Sequence, residues 1–143
     1  MGALTRRWKP TLPGKPRRKP RHLEDTQQAL LFRWLRVHRW QNRPLADYAW
    51  HTPNGGKRNL REAARFKLMG VKPGVPDVTL AIAMGSYHGL YIELKATESG
   101  TCTQNQLDVA AMLIAQGYRV DVCHGWREAA ATINDYLGTS YDS

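Results

Sequence analysis

Apolar and polar positions along the chain follow two periods, one helical and one alternating. In residues 24–40, Leu30, Leu31, Trp34, Leu35 and His38 recur at helical spacing while Arg33, Arg36 and Arg39 form a basic rim, which predicts a first helix. Residues 47–52 read as a strand with Tyr48 and Trp50 on one face. Asn59 can cap a second helix that runs to about Met69 and stops at Gly70. Two apolar runs, 78–84 and 90–94, are joined by the turn 85–89 and predict a β-hairpin. Thr103 and Gln106 form a capping box that opens a third helix; it reaches Gln116, buries Leu107, Ala110, Ala111 and Ile114, and ends at Gly117. Residues 118–123 alternate as a strand, and 126–137 form a closing helix with Ala130, Ile133 and Leu137 inward. This order predicts an α/β fold, a mixed β-sheet flanked by helices, because the late strand–helix–strand passage favours a parallel crossover beside the hairpin.

Residues 1–21 break the pattern. They are rich in proline and basic residues without periodicity, and read as a disordered basic arm ahead of one domain spanning 22–143. The length of 143 residues suits a single domain with a core of its own. The basic start has no apolar run after it, so it does not read as a secretory signal, and no apolar stretch reaches membrane-spanning length. Two cysteines, Cys102 and Cys123, are too few for a disulfide framework and point to a reduced, cytoplasmic setting.

Charge changes the picture further. Residues 1–21 carry a net +8, 22–72 a net +6 and 73–143 a net −5, within a total of +9. A polyanion partner accounts for a basic arm and first half better than a generally solvated surface does. Lys57, Arg58, Arg61 and Arg65 belong to this basic half. The glycine-rich turn around Asn54 and Gly55 would expose backbone amides to phosphates, although those residues also suit a tight turn for purely structural reasons. His51, just before it, suits a substrate contact or the turn itself better than a metal.

The acidic half places charge where an apolar hairpin should carry none. Asp77 opens the first strand of the hairpin; Glu93 lies within the second, with Lys95 on the same face about 7 Å further on. An antiparallel register brings Asp77 towards that pair, on the same face or the other depending on the turn. Two carboxylates and a lysine fit a hard divalent cation, which takes one or two carboxylates and completes its shell with water and substrate phosphate. Lys95 would then orient or deprotonate the attacking water, or steady the phosphate. A structural ion pair at the sheet edge is the plain alternative.

Pro76-Asp77 followed by Glu93-Leu94-Lys95 resembles the signature of the PD-(D/E)xK nuclease superfamily, and the surrounding residues resemble its VRR-NUC branch. The matching pieces are Glu24-x-x-x-Gln28, Asn54-Gly55-Gly56-Lys57-Arg58, Gly70-x-x-x-Gly74-Val75-Pro76-Asp77, Glu93-x-Lys95 and Thr103-x-x-Gln106. The resemblance implies a restriction-endonuclease-like core and Mg²⁺ or Mn²⁺ held by Asp77, Glu93 and the Leu94 carbonyl. Glu24 would act directly or through water, with Gln28 (or Gln27, if the register shifts) in support. It implies that Gln106 faces the site and that DNA is cut to 5′-phosphate and 3′-hydroxyl ends. It implies also a homodimer acting on Holliday junctions or other branched DNA, in the cytoplasm of a bacterium or a phage-infected host. Flap, nick or duplex cleavage by the same chemistry is the nearest alternative, and a basic DNA-binding module with a non-catalytic carboxylate cluster is the alternative of another class.

Overall fold

A computed structural model of the chain describes residues 21–53 and 59–143, with side chains from Leu23 onward. Helix α1 (Arg21–Val37) is followed by two short strands, β1 (Arg39–Trp40) and β2 (Arg43–Pro44), and by a 3-10 turn over Leu45–Tyr48. Then come β3 (Ala49–His51), α2 (Leu60–Leu68), β4 (Val78–Leu80), β5 (Leu90–Lys95), α3 (Gln104–Ala115), β6 (Arg119–His124) and α4 (Trp126–Leu137). The main sheet has the order β3-β4-β5-β6. Its first two pairings are antiparallel and β5 runs parallel to β6, so the mixed sheet and its crossover through α3 are as the pattern predicts.

The sheet is covered on both faces. Leu90, Ile92 and Leu94 of β5 join Val78, Leu80 and Cys123 against Leu31, Trp34 and Leu35 of α1 and Ala129, Ala130, Ile133 and Leu137 of α4. On the other face, Val109, Ala110 and Leu113 of α3 pack with Val120, Tyr91 and Tyr118. Each fully buried leucine or isoleucine contributes about 1.5–3 kcal/mol, enough in aggregate to carry a few buried ions at the sheet's end.

Four local expectations are corrected. The first helix ends at Val37 rather than Trp40, because Gln41 (φ 44°) and Asn42 (φ 69°) make a positive-φ turn that pairs Arg39–Trp40 with Arg43–Pro44. The strand expected at 47–52 is half 3-10 turn, and only Ala49–His51 joins the sheet. The run 78–84 is not one strand: His88 N donates to Gly117 O rather than back to the first run, and pairing of β4 with β5 stops at Leu80↔Leu90. In α3, Ala111 is exposed while Val109 and Leu113 are buried; its inward face is turned from the expected one because Gln106 is drawn to the sheet's end. The closing helix and the cap of α2 by Asn59, whose Oδ1 accepts from Glu62 N at 2.8 Å, are as expected.

Candidate active site

The hairpin register decides where the acids meet. Val78 pairs with Ile92, so Asp77, one residue earlier, stands across from Glu93, one residue later. Directly opposed residues share a face, and Glu93 and Lys95 share that face by alternation. Asp77 is held from both ends. Its Oδ2 accepts from Leu94 N at 2.8 Å, while its carbonyl accepts from Thr52 N and lies 2.8 Å from His51 Nδ1. Gly74 sets the approach: its φ is +86° and a Cβ there would sit 2.4 Å from the Asn105 carbonyl, so only glycine lets the strand entry and the start of α3 come this close.

Closeness to α3 is what brings in Gln106. Its Oε1 accepts from Thr103 N at 2.9 Å and from Lys95 Nζ at 3.1 Å, while its Nε2 donates to Glu93 Oε1 at 2.6 Å. The capping box and the contact with the acid–amine pair therefore hold together. Lys95 Nζ donates to the same Glu93 oxygen at 2.7 Å, with Glu93 only 4 % and Lys95 5 % exposed. Glu93 Oε2 is buried and has no protein partner.

The electrostatics follow from this burial. Removal from water, then the neighbouring charge of Asp77, push Glu93 up to about 8, against the pull of Lys95. Asp77 is also raised by burial and by Glu24, against the Leu94 amide, Lys95 and His51. Burial works against the Lys95 ammonium, but the Glu93 carboxylate outweighs it and holds Lys95 above its ordinary value. The two acids thus resist carrying adjacent negative charges, while the lysine keeps its proton.

Beside Asp77 opens a cavity of about 130 Å³ lined by Glu24, Asp25, Gln28, His51, Pro53, Asp77 and Leu94. Gln28 Nε2 is buried there without a partner. Gln27 instead accepts from Trp126 N at 2.9 Å and tethers α1 to the start of α4, which settles the register in favour of Gln28 at the cavity. Asp25 and Pro53 were not expected in the lining. Asp25 is adjacent to Glu24 and one turn from Gln28, a spacing that would have pointed to it. Arg61 and Arg65 are exposed on α2 and do not line the cavity. Asn54, Gly55, Lys57 and Arg58, like the basic arm, lie outside the described residues.

Among the described residues no three His, Cys, Asp or Glu side chains cluster as a metal cage. The donor set is instead a facing carboxylate pair with one oxygen left over, Glu93 Oε2, and raised proton affinity on both acids. That set fits a cation such as Mg²⁺, which keeps several waters and needs few protein ligands, and whose charge would relieve the crowding.

A family model described as the VRR-NUC domain matches residues 22–127. Among solved structures the chain is similar to one described as a VRR_NUC domain protein, at 36% identity and a TM-score of 0.74, over 84% of this chain and 93% of that one. No curated protein matches the chain. None of the helices in the described residues is long and apolar enough to cross a membrane.

Proposed function

Since the chain belongs to the VRR-NUC domain family of nucleases, we propose that it is a Mg²⁺- or Mn²⁺-dependent DNA endonuclease that cuts branched DNA, Holliday junctions above all, as a homodimer. The observation that carries this reading is the convergence of Asp77, Glu93, Lys95 and Gln106 at one end of the sheet, with Glu93 Oε2 left unpartnered. Asp77 and Glu93 would hold the cation, with the Leu94 carbonyl and Glu24 as further or water-mediated donors. When bound, it would polarise a phosphoryl oxygen, acidify a bound water and offset charge in the in-line displacement.

The chain's own residues have separable tasks. Gln106 locks the Glu93 and Lys95 side chains in place through three hydrogen bonds, to both of them and to Thr103 N. Lys95, kept charged by its ion pair with Glu93, orients the attacking water and steadies the negative charge gathering on the phosphate. Protonated in this way it is a poor base, so its role is electrostatic. His51, fixed by the Asp77 carbonyl, presents its remaining ring edge to the cavity as a phosphate or sugar contact. Water attacks phosphorus, the 3′ oxygen leaves, and the products carry 5′-phosphate and 3′-hydroxyl ends. One site cuts one strand, and a pair of sites cuts two.

Labelled junction, flap, nicked and linear duplex DNA incubated with Mg²⁺, Mn²⁺, Ca²⁺ or EDTA test this. Cleavage is expected with Mg²⁺ or Mn²⁺ alone, strongest on the junction, and lost in Asp77→Asn and Lys95→Ala. Gel shifts without cutting under every condition would reduce the protein to a DNA-binding module.

Cation binding should also depend on pH in a defined direction. Glu93 is raised to about 8, so below that value a proton occupies the site the cation needs. Affinity for Mn²⁺ therefore rises with pH through about 8 and then levels, by at most about tenfold per unit if one proton is released. Isothermal titration at several pH values from acid to alkaline of this point reads it directly. Flat affinity across that span would remove Glu93 from the ligand set.

A further inference from the structure

The cavity beside Asp77 continues outward along α1. Asp25, Gln28, Ala29 and Phe32 stand at i, i+3, i+4 and i+7 and so share one face of that helix. With His51 of β3 they line a second cavity of about 300 Å³. Asp25, Gln28 and His51 line both cavities, which are therefore two halves of one groove.

The halves differ in chemistry. The inner half has Asp77 and Glu24 in its wall and, in the nuclease reading, takes the cation and the scissile phosphate. None of the described residues that line the outer half is lysine or arginine; its apolar members are Ala29 and Phe32, and its acid is Asp25, which is exposed. A phosphate seated there would meet a carboxylate and hydrocarbon, so the DNA backbone does not run through it.

A nucleobase suits every part of the outer half. Its apolar face can lie on Ala29 and on Phe32, whose ring is half-buried against the core, and stacking on an aromatic ring is open to every base. Its edge carries both N–H donors and acceptors. Asp25 accepts from the former, and Gln28 Nε2, buried without a partner, donates to the latter. In a duplex those edge groups are consumed by pairing, so only a base outside its pair can use them. Arg36, exposed and four residues beyond Phe32 on the same face, gives the backbone of the next nucleotide a cation.

We propose that the outer half of the groove is a nucleobase subsite, which takes an unpaired base flanking the scissile phosphate. The proposal rests on the nuclease reading and narrows its substrate class: the chain selects DNA whose nucleotide at the cut has left its pair. Branch points, mismatches and single strands present such a nucleotide at low cost, whereas an intact duplex must first be opened.

The test uses junctions whose cut position has been mapped. In single-turnover cleavage, mismatching the pair that flanks the cut is expected to raise the rate about tenfold, and an abasic site in place of the unpaired base to cancel that gain. Both responses should vanish in Phe32→Ala. They should vanish also in Ala29→Leu, which fills the groove from an exposed helical position and spares the core. Fluorescence anisotropy in Ca²⁺ adds a readout free of chemistry: gapped DNA should bind about tenfold more tightly than intact duplex, and Ala29→Leu should bring the two together. A parent protein indifferent to the mismatch, or a mismatch gain that survives Ala29→Leu, overturns the assignment. Preference for gapped DNA that depends on Ala29, with no substrate cut, would sink the nuclease reading and leave the subsite standing. Efficient cutting that ignores the mismatch, the abasic site and Ala29→Leu would do the reverse.

Discussion

Glu93→Gln is expected to lower junction cleavage by about 10³-fold or more, the loss of roughly 4 kcal/mol of transition-state stabilisation, while DNA is bound as tightly as before or more so. Glutamine keeps the shape and an Oε1 that can still accept from Lys95 Nζ and Gln106 Nε2, so the arrangement around it is retained. It removes the negative charge from a buried position that already resists holding it next to Asp77. The same charge is the one a divalent cation needs and a phosphate is repelled by. Loss of cutting with undiminished binding therefore separates a ligand from a merely structural acid, which would lose neither. The measurement is single-turnover cleavage beside fluorescence anisotropy of labelled junction, run well below the variant's melting temperature. Cutting at the wild-type rate would remove Glu93 from the chemistry altogether.

Arg119→Met is expected to cost about 3–5 kcal/mol of stability, a fall in melting temperature of about 10–15 °C for a domain of this size. Arg119 lies inside the fold on β6, with Nε 2.6 Å from Asp121 Oδ2 and an Nη 2.9 Å from Asp135 Oδ2. Asp121 is 1 % exposed, and its second oxygen is already without a partner. Methionine fills much of the space of the arginine stem but leaves that carboxylate buried without a counter-charge. The penalty comes from the abandoned acid, so Arg119→Met combined with Asp121→Leu should recover most of the loss. Thermal melts followed by circular dichroism decide it. A single variant within about 1 kcal/mol of the parent would mean that water reaches the pair, contrary to its burial.

The two substitutions mark where the chain could be read without its fold. Glu93 and Lys95 stood out because Pro76-Asp77 and a hairpin precede them, and Thr103 and Gln106 because a capping box has a fixed spacing. Arg119 and Asp121 have the same two-residue spacing on a strand and gave no such signal. Alternation by itself places them on an outer face, and the second helical layer that buries them on the α1 and α4 side is not visible in strand 119–124. The same limit explains Ala111, where helical spacing offers several nearly equivalent inward faces until Gln106 is anchored at the sheet.

The order of elements, the parallel crossover, the caps of α2 and α3 and the identity of the acid–amine set are written in local pattern: side-chain period, cap residues and glycine stops act over a few positions. The convergence of Asp77 with Glu93 was left open by that pattern and required the register Val78↔Ile92. The choice of Gln28 over Gln27 required α4, which claims Gln27 for the Trp126 amide. The role of Gly74 required α3 against its backbone. Each of these depends on parts of the chain far apart in sequence meeting at one end of the sheet, where a shift of one residue turns a side chain to the opposite face.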